Sequence, residues 1–199
     1  MFPTIEVGPN NVSLEIFELP RRNGVHSIDR VTHRLELGKT AYATGRVTAQ
    51  LIDELCTVMK NFTEIMESYQ VSDYRAFGTS AVREATNSMI MLETIYQRTG
   101  IRIDVLSNSE QRFLGYKGIA SKGDTCQKII GEGSAILDVS GGSIQISLFD
   151  KDNLITTQNV KLGSLRVRER LSGIERETTH YEMLVEELIR NEITGFKKL

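Results

Sequence analysis

The chain has 199 residues, 40% of them hydrophobic and 25% charged. That is the composition of a globular protein with enough apolar material for a sizeable core, and it excludes a wholly disordered chain. A formal net charge of −2 and a pI near 6.0 exclude a general attraction to nucleic acid or an anionic membrane surface, so any anion must be held by a local site.

The first element is a hairpin. Ile5 and Val7, then Val12, Leu14 and Ile16, alternate on either side of the turn Gly8-Pro9-Asn10-Asn11. A further extended segment runs from about Ser27 to Leu37. From Thr48 onward, Leu51, Leu55, Val58, Phe62, Ile65 and Tyr69 recur at steps of three and four, which predicts a long amphipathic helix laid on a sheet. Cys56 lies on it.

Short strands and helices then alternate. Tyr74 to Gly78 is extended, a helix runs from near Asn87 to Gly100, Ile101 to Leu106 is extended, and a helix starts near Asn108. The order is that of an α/β fold with a mostly parallel or mixed sheet. Ser121 to Ser134, rich in Gly, Lys and Asp, is the expected linker, dividing a first domain, 1–130, from a second, 131–199. Beyond it come three strands and a helix announced by the capping box Thr179-His180-Tyr181-Glu182.

Cys126 stands in the linker, and the two cysteines have neither metal-ligand spacing nor a disulfide framework, which suits a reducing compartment. His26, His33 and His180 are scattered without ligand clusters, so a transition-metal site is not expected. No stretch approaches the ~18 apolar residues that cross a bilayer, and Met1 to Asn10 lacks a basic segment followed by an apolar run. A cytoplasmic location is expected.

The most informative pattern is an ungapped internal match. Ile5 to Phe17 lies over Leu137 to Phe149, so that Glu6 falls on Asp138 and Phe17 on Phe149, a constant offset of 132. Each copy is a strand ending near a carboxylate, a tight polar turn, and a second alternating strand. A duplicated unit is expected, in which both turns aim backbone N–H groups at an anion. Gly and Asn would also stand there simply to allow positive φ in a hairpin.

Six segments in order resemble the exopolyphosphatase and guanosine pentaphosphate phosphohydrolase family. They are Ile5 to Asn11, Arg34-Leu35, Gly78 to Asn87, Ser107 to Gln111, Asp138 to Ser143, and Leu162 to Arg166. The resemblance implies an actin-like, ribonuclease H-like duplicated α/β fold with a mixed sheet, whose second unit is incomplete and leaves an open edge and an apolar face. It implies that polyphosphate or guanosine pentaphosphate binds in a cleft between the units, with Mg²⁺. Homodimerisation, if it occurs, would run through regions outside these residues.

By the same resemblance, Asn10, Asn11, Arg34, Thr79, Ser80, Arg83, Ser140, Gly141, Gly142 and Ser143 hold phosphate, and Asp138 and Glu6 are weaker candidates for holding the metal through water. The family's two consecutive glutamates, the second of them the general base, correspond to Glu110-Gln111 here. Ser107 and Glu110 have capping-box spacing, which would leave Gln111 facing the site as the catalytic candidate and Glu110 as the weaker alternative, and a neutral amide orients water without accepting its proton. Glu6 stands for an Asp, Pro9 and Asn11 for two serines, and Gln145 for a Glu. Two rival readings follow: a catalytically degenerate polyphosphate or nucleotide sensor, and a kinase of the same fold.

Overall fold

A computed structural model of the chain describes residues 1–19, 25–71, 73–121, 133–151, 153–172 and 180–194. The chain divides into two compact units, Met1–Ser107 and Asn108–Leu199. The expected linker and Cys126 lie almost wholly outside the described residues, as does Thr179 of the second capping box.

The first unit begins with β1 (Phe2–Val7), β2 (Asn11–Glu18) and β3 (His26–Arg34), an antiparallel series. The predicted alternation is met: Ile5, Val7, Val12, Leu14 and Ile16 are all buried. β4 (Arg75–Gly78) and β5 (Asp104–Val105) add in parallel on the other side of β1, giving a mixed five-stranded sheet of order β3-β2-β1-β4-β5. Glycine at 78 lets β4 turn directly into the next helix, since a Cβ there would sit 3.0 Å from the Val82 side chain.

Two extended segments are shorter than the sequence suggests. β3 ends at Arg34, and Leu37 opens helix α1 (Leu37–Thr44), which ends at Gly45 in the left-handed conformation. Its stripe, Leu37, Gly38 and Ala41, is too short to register as a periodic pattern. Ile101 and Ile103 are buried like strand residues, yet only Asp104 and Val105 pair with β4; burial alone produced the alternation.

The long helix α2 (Ala49–Ser68) follows the predicted stripe. Thr48 caps it by accepting from the Leu51 N–H at 3.4 Å. Leu55, Val58 and Phe62 are buried, with Ile52, Cys56, Met59 and Met66 widening the buried face, and the Tyr69 hydroxyl just beyond the helix donates to Asp29 on β3 at 3.0 Å. The short α3 (Ser80–Glu84) and α4 (Ser88–Thr99), which buries Met91 and Ile95, complete the unit.

The second unit contains α5 (Asn108–Ala120), the antiparallel sheet β6 (Ser134–Val139), β7 (Ile144–Asp150), β8 (Asn153–Val160), and helices α6 (Ser164–Leu171) and α7 (Tyr181–Thr194). Its described core is Ile144, Ile146, Val160 and Leu162, flanked by Leu148, Val167, Leu188 and Ile189.

The internal match is a structural repeat. Every cross-strand pair of β1 with β2, from Phe2 opposite Phe17 to Val7 opposite Val12, recurs 132 residues on between β6 and β7, from Ser134 opposite Phe149 to Val139 opposite Ile144. The irregularity in the next ladder recurs too, between Ile16 and Phe17 and again between Leu148 and Phe149. The third strand and following helix repeat at a smaller offset of 127: Val12 pairs with His33 as Ile144 pairs with Val160, and α1 starts at Leu37 as α6 starts at Ser164. The difference is the longer connection between β2 and β3, which hid this half of the repeat from an ungapped comparison.

Candidate functional site

The first turn is closed by the Gly8 N–H donating to the Asn11 carbonyl at 2.9 Å. Its carbonyls are used by the start of α1: Asn10 accepts from the Leu35 N–H at 3.1 Å and Pro9 from the Gly38 N–H at 2.8 Å. An anion approaching the turn therefore meets no uncommitted carbonyl at Pro9 or Asn10. The Glu6 carboxylate stands beside the turn, 3.8 Å from where a Gly8 Cβ would be. Asn10 donates weakly to Asn11 Oδ1 at 3.4 Å, while its own Oδ1 is buried without a partner.

Arg34 lies opposite Asn11 in the β2–β3 ladder. Its exposed guanidinium is ion-paired with Glu36 at 2.5 Å, and that hydrogen bond and charge raise it above its ordinary value. The pairing is solvent-screened, so a ligand can compete for this arginine at small cost.

The loop after β4 is held from within the first unit. The Thr79 N–H donates to the Val7 carbonyl at 3.1 Å, and its hydroxyl lies 3.4 Å from the same oxygen. The buried Ser80 hydroxyl shares a 2.7 Å hydrogen bond with the Tyr42 hydroxyl. Arg83 donates to the Leu106 carbonyl at 2.5 Å, and the Leu106 N–H returns to the Gly78 carbonyl at 2.9 Å. Burial pushes the Arg83 guanidinium below its ordinary value, partly offset by Glu84 and Tyr42. The three predicted phosphate-binding side chains of this loop thus each have a role in fixing it, and with only five residues α3 offers little helix dipole.

The second turn repeats the first. The Ser140 N–H donates to the Ser143 carbonyl at 2.9 Å, as Gly8 does to Asn11. The Ser140 hydroxyl lies 3.2 Å from the Ser143 N–H and 3.1 Å from the Ser143 carbonyl. Again the carbonyls are taken by the following helix: Ser140 accepts from Ser164 N–H, Gly141 from Leu165 N–H, both at 3.0 Å, and Gly142 from Arg166 Nε at 2.7 Å. The approach is so close that a Cβ on Gly163 would lie 2.4 Å from backbone atoms of Gly141 and Gly142. Gly163 is therefore required by contact, since its φ of −75° suits any residue.

Asp138 is exposed on β6 opposite Gln145. Both border a hollow of about 380 Å³ between α5 and the sheet, together with Arg112, Tyr116 and Ser147. Its polar wall is a chain of hydrogen bonds: Arg112 to Thr157 at 2.9 Å, Thr157 with Ser147 at 3.2 Å, and Tyr116 to Ser147 at 2.5 Å. Glu110 and Gln111 open α5, with Glu110 exposed in its first turn and Gln111 half-buried.

Asn10, Asn11, Arg34, Thr79, Ser80, Arg83 and Glu6 thus belong to the first unit, and Glu110, Gln111, Asp138 and Ser140 to Ser143 to the second. Among the described residues no group of three or more His, Cys, Asp or Glu could hold a metal ion. What the first turn does present is a carboxylate and an orphaned amide oxygen, Glu6 and Asn10. Those hard oxygen donors suit a Mg²⁺ that keeps most of its waters. No helix among the described residues is long and apolar enough to cross a membrane. Tyr42 and Gly163 carry the local geometry without having been singled out as site residues; the repeat at offset 127 was the signal that would have drawn attention to α1 and α6.

Comparison with known proteins agrees with this architecture. The Ppx/GppA phosphatase family matches residues 19–198. Exopolyphosphatase 1 of Mycobacterium leprae is 28% identical over 144 residues, 72% of this chain and 41% of that protein. Guanosine-5'-triphosphate,3'-diphosphate pyrophosphatase of Aliivibrio fischeri is 23% identical over 197 residues, 90% of this chain and 39% of that protein. The chain therefore spans about two fifths of the length of these curated relatives. The crystal structure of an exopolyphosphatase from Cytophaga hutchinsonii superposes with a TM-score of 0.81 at 20% identity, covering 99% of this chain and 62% of that one. The fold is the actin-like ATPase fold, and the chain belongs to the Ppx/GppA phosphatase family.

Proposed function

We propose that this chain carries the phosphate-holding machinery of a phosphoanhydride hydrolase acting on polyphosphate or guanosine pentaphosphate, with hydrolysis slowed by Gln111. The observation that carries the reading is the repeated turn. Gly8 to Asn11 and Ser140 to Ser143 are closed by the same hydrogen bond at the same 2.9 Å, and in both the carbonyls accept from N–H groups at or just before the start of the following helix. Two such turns present N–H groups to an anion without opposing carbonyl dipoles. Asn10, Asn11 and Arg34 serve the first phosphate group and Ser140 to Ser143 the second, with Arg83 supplying further positive charge.

Mg²⁺, when bound, would neutralise phosphate oxygens and stabilise charge on the leaving group. Glu6 in the first unit and Asp138 in the second would each serve to hold such an ion through water, and the Asn10 side-chain amide oxygen, which needs a donor, fits a metal-bound water better than a bare phosphate oxygen. Gln111 orients the attacking water from α5 but takes no proton, because an amide has no basic site at neutral pH. Loss of a positioned base typically slows the step by about 10²–10⁴-fold.

A second reading, a phosphate-chain or nucleotide sensor, is favoured by Gln111 and by Pro9, which has no N–H to give the first turn. Phosphate release from long-chain polyphosphate and from guanosine pentaphosphate with Mg²⁺ separates the two. Slow release by the unsubstituted protein that rises at least about 10²-fold in Gln111→Glu supports the hydrolase. Tight binding of either substrate with no release in both proteins would replace it with the sensor.

A further inference from the structure

Helix α1 joins two segments that the proposed function treats separately. At its start, the Leu35 and Gly38 N–H groups hold the carbonyls of Asn10 and Pro9 in the first turn. Toward its end the Tyr42 hydroxyl meets the buried Ser80 hydroxyl at 2.7 Å. The Gly45 carbonyl just past the helix accepts from both the Thr86 N–H at 2.8 Å and the Thr86 hydroxyl at 3.0 Å. Two residues on, Asn87 clips Val47 with both arms of its amide, accepting from the Val47 N–H at 3.0 Å and donating to its carbonyl at 2.8 Å. The eight-residue helix spans roughly 12 Å; its start is bonded to the first turn, and its far end to Ser80 and to Thr86 and Asn87 just beyond the loop.

We infer that α1 is a spacer that fixes the first turn relative to the loop Thr79 to Arg83, and that Tyr42 is a positioning residue that sets Ser80 for a phosphate chain. The inference rests on the reading of those segments as phosphate-holding and adds to it a residue that touches neither phosphate nor metal. Its specificity to the first unit is visible in the repeat. α6 stands at the same place in the second unit, tied to its turn in the same way through Leu165 and Gly141, but the residue equivalent to Tyr42 at the offset of 127 is Glu169. Among the described residues the tyrosine contact with the loop is therefore a feature of the first copy, and the last turn of α6 is fastened differently, by Arg170 to Glu192 at 2.9 Å.

Tyr42→Phe removes one oxygen and keeps the ring packed, so the fold is expected to survive. The test is calorimetric titration of sodium tripolyphosphate with Mg²⁺ into the unsubstituted protein, Tyr42→Phe, Ser80→Ala and the double variant. Tyr42→Phe is expected to weaken binding about tenfold, the size of one lost hydrogen-bonded contact. The double variant is expected to lose no more than either single one, because the two hydroxyls act as a pair. In turnover the loss should fall on KM with kcat unchanged, a split that general destabilisation would not produce. Tyr74→Phe, which removes a hydroxyl that donates to the Gly100 carbonyl at 3.4 Å and accepts from the Arg102 N–H at 2.9 Å, away from the loop, should bind as the unsubstituted protein does. Equal affinity of Tyr42→Phe and the unsubstituted protein, or full additivity of the two losses, overturns the role of Tyr42 alone. No binding by the unsubstituted protein overturns both this role and the phosphate reading beneath it.

Discussion

At Gly163 a single methyl group would have to occupy space 2.4 Å from the backbone of Gly141 and Gly142. Backbone on both sides cannot yield as a flexible side chain could, so Gly163→Ala should cost about 3 kcal/mol, the upper end for overpacking. Gly100 poses the opposite case: nothing lies within 4 Å of its would-be Cβ, but its φ is +72°. Gly100→Ala should cost about 1–2 kcal/mol through backbone strain alone. Urea unfolding followed separately in each unit checks both, and a smaller loss for Gly163→Ala than for Gly100→Ala would contradict the close approach. Cys56 gives a third residue-scale expectation. Burial pushes its thiol up, although Arg98 and Lys60 partly oppose this and Asp53 adds to it. In a Cys126→Ser background, thiol labelling at neutral pH should therefore be slow under native conditions and speed up with denaturant, whereas rapid native labelling would show the α2 packing to be loose.

Among the elements, α2 was legible because twenty residues sample the helical period many times, and its stripe is the one the core uses. Phe62, fully enclosed in that core, should cost about 3–5 kcal/mol as Phe62→Ala. Thr48→Ala should cost only about 0.5 kcal/mol, because the cap bond is long at 3.4 Å; thermal unfolding of the two variants gives the ratio directly. α1 was not legible, since eight residues with buried positions at Leu37, Gly38 and Ala41 define no period. The β-hairpins were legible from alternation and turn chemistry. The turns of the candidate site were visible for the same reason, and the fastening of its loop was not. Tyr42 and Ser80 are 38 residues apart in sequence, and Arg83 and Leu106 are 23 apart. No local pattern encodes such a meeting, which depends on the parallel placement of β4 and β5 beside β1.

At the scale of the molecule, one strand-turn-strand pattern occurs twice in different surroundings. In the first unit Ile5 and Val7 are fully buried on a strand flanked by β2 and β4; at the equivalent places in the second, Leu137 and Val139 are 61% and 64% exposed on β6, paired only with β7 among the described residues. The first unit's core joins strand and helix residues from Ile5 to Ile103, whereas the described core of the second is small. Local stability follows buried apolar contact. Amide hydrogen exchange should therefore be slowest in β1, β2 and α2 and markedly faster in β6 and β8, and uniform protection across both sheets would contradict this account.

The central claim is that both copies of the turn hold phosphate. Its most direct test is titration of the isotopically labelled protein with tripolyphosphate and Mg²⁺, following backbone amide resonances. The expected result is saturable shifts at Asn10 and Asn11 and, over the same concentrations, at Gly141, Gly142 and Ser143. Silence at both turns, or shifts confined to sites away from them, would contradict it.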